Sequence, residues 1–152
     1  MIVYADASAL VKRYVAEAGS PETNRLMARA EVVGTVLLSR AEVAAALAKA
    51  VRLSLLPQAE AAAALRAFRS QWSDLARLPV TEVLMARADA LAWDASLRGY
   101  DAVHLAAALS WQDSLAEPVT LATFDRRLWN AGSDVGLAVW PDAIDRLTRA
   151  QV

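Results

Sequence analysis

Short apolar runs alternate along this chain with longer stretches in which apolar residues recur every third or fourth position, the patterns of buried strands and amphipathic helices. Ile2 to Ala5 reads as a buried strand. Ser8 to Val15 has helical spacing, with Leu10 and Tyr14 one turn apart, so Asp6 falls at a strand-to-helix junction. After Gly19, Ser20-Pro21-Glu22 has the form of an N-cap followed by proline at the first helical position, opening a helix to about Ala30. Val32 to Leu38 supplies a second strand. Ser39-Arg40-Ala41-Glu42 fits a capping box ahead of an alanine-rich helix to about Leu53, which Pro57 separates from a helix over Gln58 to Trp72. Leu78 to Val80 reads as a third short strand and Val83 to Leu97 as a helix. Beyond Gly99, Tyr100 to Trp111 forms another helix with Asp101 in its first turn. Val119 to Thr123 is β-rich, and Asp125 opens a helical Arg126 to Ala131 with Gly132 as C-terminal cap. Leu137 to Trp140 is a final strand, and Asp142 to Thr148, after Pro141, a closing helix.

Strands and helices thus alternate without repeats or low-complexity linkers. Parallel neighbours need long crossovers, usually helical, so the alternation predicts an α/β fold, a three-layer α/β/α sandwich with a mostly parallel central sheet. In such sheets ligands bind beyond the carboxyl ends of the strands. Asp6, Glu42 and Asp125 are expected there, and Asp101, opening a helix, can join them. Each acid taken singly has an ordinary explanation, because Asp and Glu near a helix N-terminus stabilise it. The capping-box position alone accounts for Glu42. Gathered at one sheet edge, however, four carboxylates would repel one another and raise their pKa values unless a cation compensated.

Composition narrows the chemistry. The 152 residues fit one domain, 1–152, and the 57% hydrophobic fraction is inflated by alanine, which favours helices. With no cysteine, a metal must be held by oxygen or by His104, which makes hard cations such as Mg²⁺ or Mn²⁺ the natural candidates. No apolar run approaches the roughly 18 residues of a membrane span. Asp6 also interrupts the start where a signal peptide needs an unbroken apolar stretch, so a cytoplasmic protein is expected, with no membrane contact. The net charge of −1 lacks the basic excess of strong nonspecific nucleic-acid binders, so a nucleic-acid substrate would need a local basic patch. Of the 16 basic residues 14 are arginine, whose planar fork suits phosphate oxygens.

Four blocks carry a resemblance. D-A-S-A-L-V-K at Asp6, S-R-A-E-V at Glu42, R-G-Y-D-A-V-H-L-A-A-A at Asp101 and T-F-D-R-R-L at Asp125 are similar, in order and spacing, to PIN-domain nucleases. The short form and the third block resemble the VapC-type toxins of toxin–antitoxin pairs. The resemblance implies a magnesium- or manganese-dependent endoribonuclease in which Asp6, Glu42, Asp101 and Asp125 bind metal directly or through water, with Ser8 and Thr123 as supporting hydroxyls. It also implies a homodimer bound by an antitoxin, with RNA as substrate. His104, one turn after Asp101, could hydrogen-bond a metal-binding carboxylate or pack as a core histidine. Arg98, Arg126 and Arg127 flank two of the acids and could grip RNA phosphates, or lie in solvent. The five tryptophans have helical spacing near apolar neighbours, which favours packing over base stacking.

Other functions fit less well. A metal-dependent adhesion module wants D-x-S-x-S after the first strand, and Leu10 replaces the second serine; a haloacid dehalogenase-type phosphotransferase wants D-x-D, and a receiver domain a late lysine, absent here beyond Lys49. A PIN fold turned passive binding module remains an alternative, against which all four acids stand.

Overall fold

The computed structural model describes residues 1–145, and the expected closing helix over Asp142 to Thr148 falls partly outside them. The strands are β1 (Ile2–Ala5), β2 (Val32–Val36), β3 (Ala76–Leu78), β4 (Val119–Ala122) and β5 (Ala138–Trp140), all parallel, in the order β3-β2-β1-β4-β5. The helices are α1 (Ala7–Tyr14), α2 (Ser20–Arg29), α3 (Ser39–Arg52), α4 (Gln58–Gln71), α5 (Glu82–Asp94), α6 (Gly99–Leu115) and α7 (Arg126–Asp134). Alternation of side chains along each strand explains the layers. Val3 and Ala5 of β1 face a core shared with α1 to α4, around Leu10, Val43 and Phe68, while Tyr4 faces one shared with α5 to α7, around Leu105, Leu121 and Leu128. The sandwich is the expected one, and the sheet is parallel throughout. None of the described helices is long and apolar enough to cross a membrane.

Strand order places the site. The chain moves outward from β1 through β2 to β3, then returns to the other side of β1 with β4 and β5. Between β1 and β4 the winding reverses, and the crossovers diverge to leave a crevice at the carboxyl ends of the strands. Asp6 directly follows β1, and Thr123 and Asp125 follow β4.

Several local expectations are corrected. The third strand lies at Ala76–Leu78 instead of Leu78 to Val80, where it pairs with β2 in the register Gly34 to Ala76. Ser20 is the first residue of α2 and Gly19, at φ +86°, its N-cap; the Ser20 hydroxyl donates to the Val15 carbonyl at 2.7 Å. The capping box at Ser39 does not form. Leu38 is the N-cap of α3, and the Ser39 hydroxyl bonds Thr35 Oγ1 at 2.6 Å, which itself donates to the Ala5 carbonyl at 2.7 Å. Gly132 lies inside α7 and caps nothing. A β-carbon there would stand 2.6 Å from Leu121 Cδ2 and 3.2 Å from Val139 Cγ1, so the glycine is what lets α7 close on β4 and β5. The left-handed turn after α7 falls to Gly136, at φ +83°. Gly132→Ala is therefore expected to destabilise the protein by about 1–3 kcal/mol through overpacking, read as a lower urea midpoint. The gain in helix propensity of about 1 kcal/mol only partly offsets this.

Candidate active site

The site begins with Asp6, which ends β1 and caps α1. Its Oδ1 accepts from the Ala9 amide at 2.9 Å and from the Ser8 hydroxyl at 2.7 Å, and its Oδ2 accepts from the Thr123 hydroxyl at 2.6 Å. The same two hydroxyls hold the other strand end: Ser8 Oγ accepts from the Phe124 amide at 2.8 Å and Thr123 Oγ1 from the Asp125 amide at 3.0 Å. Each hydroxyl is both donor and acceptor, so the loops after β1 and β4 are tied across 117 residues of sequence. Asp6 is 5% exposed, and no basic side chain bonds it among the described residues. Burial raises its carboxyl above the ordinary 3.8, against the opposing pull of His104, the two hydroxyls and the Ala9 amide.

Asp125 caps α7, its Oδ1 accepting from the amides of Arg127 at 2.9 Å and Leu128 at 3.1 Å. Its Oδ2 accepts from Arg98 Nη2 at 2.6 Å. Arg98 also donates from Nε to Asp101 Oδ2 at 2.7 Å, so one guanidinium spans two acids that come from the starts of α6 and α7. Asp101 itself is buried.

Glu42 sits in the first turn of α3, and its Oε2 bonds His104 Nε2 at 2.7 Å. His104 is buried on α6, with Nδ1 at 2.9 Å from the fully buried Tyr4 hydroxyl. The histidine is thus enclosed by protein and at the same time fixes the one carboxylate that the capping box fails to explain. Burial pulls its pKa down, but the Glu42 hydrogen bond and the charges of Asp6, Glu42 and Asp101 together outweigh this and raise it. Tyr4 went unnoticed in the sequence because it stands within an apolar run. Its only signal is a hydroxyl that must find a partner when buried.

A cavity of about 730 Å³ is lined by Glu42 and Asp101 of the four acids, together with Ser8, Lys12, Lys49, Arg98 and Tyr100, while Asp6 and Asp125 do not line it. Lys12 is spent on Glu17 at 3.0 Å and on the Ala18 carbonyl at 2.7 Å. Of the expected phosphate grips, Arg98 is engaged by acids, Arg126 pairs with Asp145, and Arg127 is exposed outside the cavity lining.

The donor set fits a hard divalent cation by type, since every candidate is a carboxylate or hydroxyl oxygen. Asp6 fits by circumstance, because a buried carboxylate ordinarily has an ionic partner or a metal. Among the described residues, however, no three acidic or histidine side chains form a group that could hold a metal ion, and Arg98 holds two of the acids.

Comparison with known proteins agrees with this architecture. The PIN domain family matches residues 3–132. Two Mycobacterium tuberculosis proteins, Ribonuclease VapC45 and Ribonuclease VapC49, are each 36% identical over 144 residues, covering 95% of this chain and 98% of theirs. Among solved structures, PAE2754 from Pyrobaculum aerophilum superposes with a TM-score of 0.65 at 22% identity, over 97% of this chain and 96% of that one. A toxin-antitoxin complex from Klebsiella pneumoniae gives 0.59 at 15% identity, over 91% of this chain and 95% of that one. These likenesses speak for the fold, and the full-length relatives for the branch within it. With the family match covering strands β1 to β4, the switch point and all four acids, the chain belongs to the PIN-domain family, in its VapC-type branch.

Proposed function

We propose that the chain is a Mg²⁺- or Mn²⁺-dependent endoribonuclease and the toxin of a toxin–antitoxin pair, acting in the cytoplasm as a homodimer that a cognate antitoxin restrains. The observation that carries the reading is the buried Asp6, bonded by no basic side chain among the described residues and tied through Thr123 to Asp125 at the switch point of the sheet. Asp6, Glu42, Asp101 and Asp125 would hold the cations. When bound, these lower the pKa of water and offset charge on the phosphoryl oxygens, which suits hydrolysis of a phosphodiester. The protein's own part is positioning. Ser8 and Thr123 fix the Asp6 oxygens, His104 fixes Glu42, and the α7 amides hold Asp125 by one oxygen and leave the other to Arg98.

In this reading Arg98 gives up at least one acid when a cation enters. Its present place also supports a second reading, a PIN fold that binds partners without cutting, in which the guanidinium serves permanently as the counter-charge. One experiment separates them. Purified chain is incubated with total RNA in magnesium, manganese or chelator, cut sites are mapped, and melting is followed in parallel. The nuclease reading expects cleavage that chelator stops. Cation at about a hundred times its dissociation constant should also add about 2.7 kcal/mol of stability, a rise of several degrees in Tm. Intact RNA with an unmoved Tm favours the silent module.

A further inference from the structure

Three of the four acids have a guanidinium or imidazole partner. Glu42 is bonded by His104, and Asp101 and Asp125 share Arg98, whereas Asp6 is bonded only by two hydroxyls and the Ala9 amide among the described residues. Arg98 is held differently from His104. Its backbone is the N-cap of α6, the helix that carries Asp101, but its side chain is 60% exposed. Among the described residues the hydrogen bonds of its guanidinium all go to the two carboxylates. Nε donates to Asp101 Oδ2 at 2.7 Å and Nη2 to Asp125 Oδ2 at 2.6 Å, with Asp101 Oδ1 farther from Nη2 at 3.4 Å. A β-carbon on the neighbouring Gly99 would meet nothing within 4 Å, so the side chain has open space into which to turn.

Such a group has the chemistry of a tethered counter-ion. Carboxylates gathered at one sheet edge repel one another, and a guanidinium fork laid across two of them relieves that repulsion as a cation would. A divalent ion and Arg98 are therefore rivals for the same oxygens. Resting on the reading that the acids take a divalent cation, we propose that Arg98 is a built-in competitor for that ion, a latch across Asp101 and Asp125 that sets the cation concentration at which the cluster loads. The latch opens at Asp125 first. Its hold on Asp101 lies within one helical turn and uses two nitrogens, whereas Asp125, at the start of α7, is held by one. The apparent affinity for a cation is reduced by the fraction of molecules in which the acids are free. Two solvent-screened ion pairs reduce it by about 3- to 30-fold.

The test is Mn²⁺ binding to the purified chain, stripped with chelator and dialysed free of it, followed by the electron paramagnetic resonance signal of the unbound ion. No RNA is present, so the readout is independent of cleavage. Arg98→Gln removes the charge and should bind Mn²⁺ about 3- to 30-fold more tightly than the native chain. Arg98→Lys keeps the charge but has no fork to span two acids, and its affinity should fall between the two. Lys49→Gln controls for general charge. Lys49 is exposed in the same cavity lining and makes no ion pair with the acids among the described residues, so its loss should tighten binding less than the loss of Arg98 does. Melting of each variant in chelator should stay within a few degrees of the native chain, as for loss of an exposed ion pair. Uptake by Arg98→Gln where the native chain takes up no Mn²⁺ is the same result in its extreme form. Equal or weaker binding by Arg98→Gln overturns the latch and leaves the cation reading standing, as does equal tightening by Lys49→Gln. No Mn²⁺ binding by either the native chain or Arg98→Gln overturns the cation reading, and the latch with it.

Discussion

Asp101→Asn is expected to reduce RNA cleavage by on the order of 10²–10³-fold, the range seen when one electrostatic stabiliser of a transition state is removed, with the fold intact. The substitution keeps the side-chain shape and an oxygen for Arg98 while removing the charge a divalent cation would need. Its structural cost is small. Arg98 is 60% exposed and keeps its bond to Asp125, so the lost ion pair is of the solvent-screened kind worth about 0–1 kcal/mol. Asp6→Asn is a less clean variant: both hydroxyls around Asp6 donate to it while accepting from backbone amides, and an Asn amide would set a donor against the Thr123 hydroxyl. Loss of activity there would mix chemistry with a disturbed loop. Undiminished cleavage by purified Asp101→Asn would contradict the assignment of the acids.

His104→Leu is expected to lower stability by about 1–3 kcal/mol, the cost of leaving a buried polar partner unsatisfied, and to reduce cleavage by about 10–100-fold, as loss of a group that orients a metal ligand does. The two effects have different origins. The stability loss comes mainly from the Tyr4 hydroxyl, which is fully buried and loses its partner at 2.9 Å, whereas Glu42 can turn to solvent. Adding Tyr4→Phe removes both partners and should recover much of the stability without restoring activity, because Glu42 remains unheld. A double variant that regains cleavage would show that His104 acts through packing alone.

The same histidine sets a pH dependence for the metal-free protein. Its folded pKa is raised above the ordinary 6.5, so the folded state binds the proton more tightly than the unfolded one. The stabilisation is fully present below 6.5 and is lost as pH rises through the higher folded value. Urea midpoints measured in chelator should fall across that interval for the native chain, and His104→Leu should flatten the trend.

The order of strands and helices is legible because the central strands are short, mostly apolar runs and the helices repeat with their own period, whereas β3, which carries Arg77 between Ala76 and Leu78, has no such run to mark it. Asp6 and Asp125 were legible for a related reason, since the residue after a parallel strand lies at the ligand-binding edge of the sheet. What misled were local signals with competing distant partners. Ser39 has the form of a cap, yet its hydroxyl finds Thr35, which reaches across to the Ala5 carbonyl. Gly132 has the form of a helix terminator, yet the close approach of Leu121 and Val139 is what requires it. Arg98 pairs with Asp101, three residues on, and with Asp125, 27 residues away on a helix that only the fold brings near.

The tie between Asp6 and Thr123 also bears on how the protein comes to be made. Strand β1 is synthesised well before its neighbour β4 and the Thr123 hydroxyl, which lie at the other end of a 117-residue interval. A contact of such separation forms late and slowly. A nascent chain still short of Thr123 and Asp125 therefore has Asp6 without its tether, and under the nuclease reading proposed above the ribosome that builds this protein faces no assembled cutting centre until translation has passed those codons.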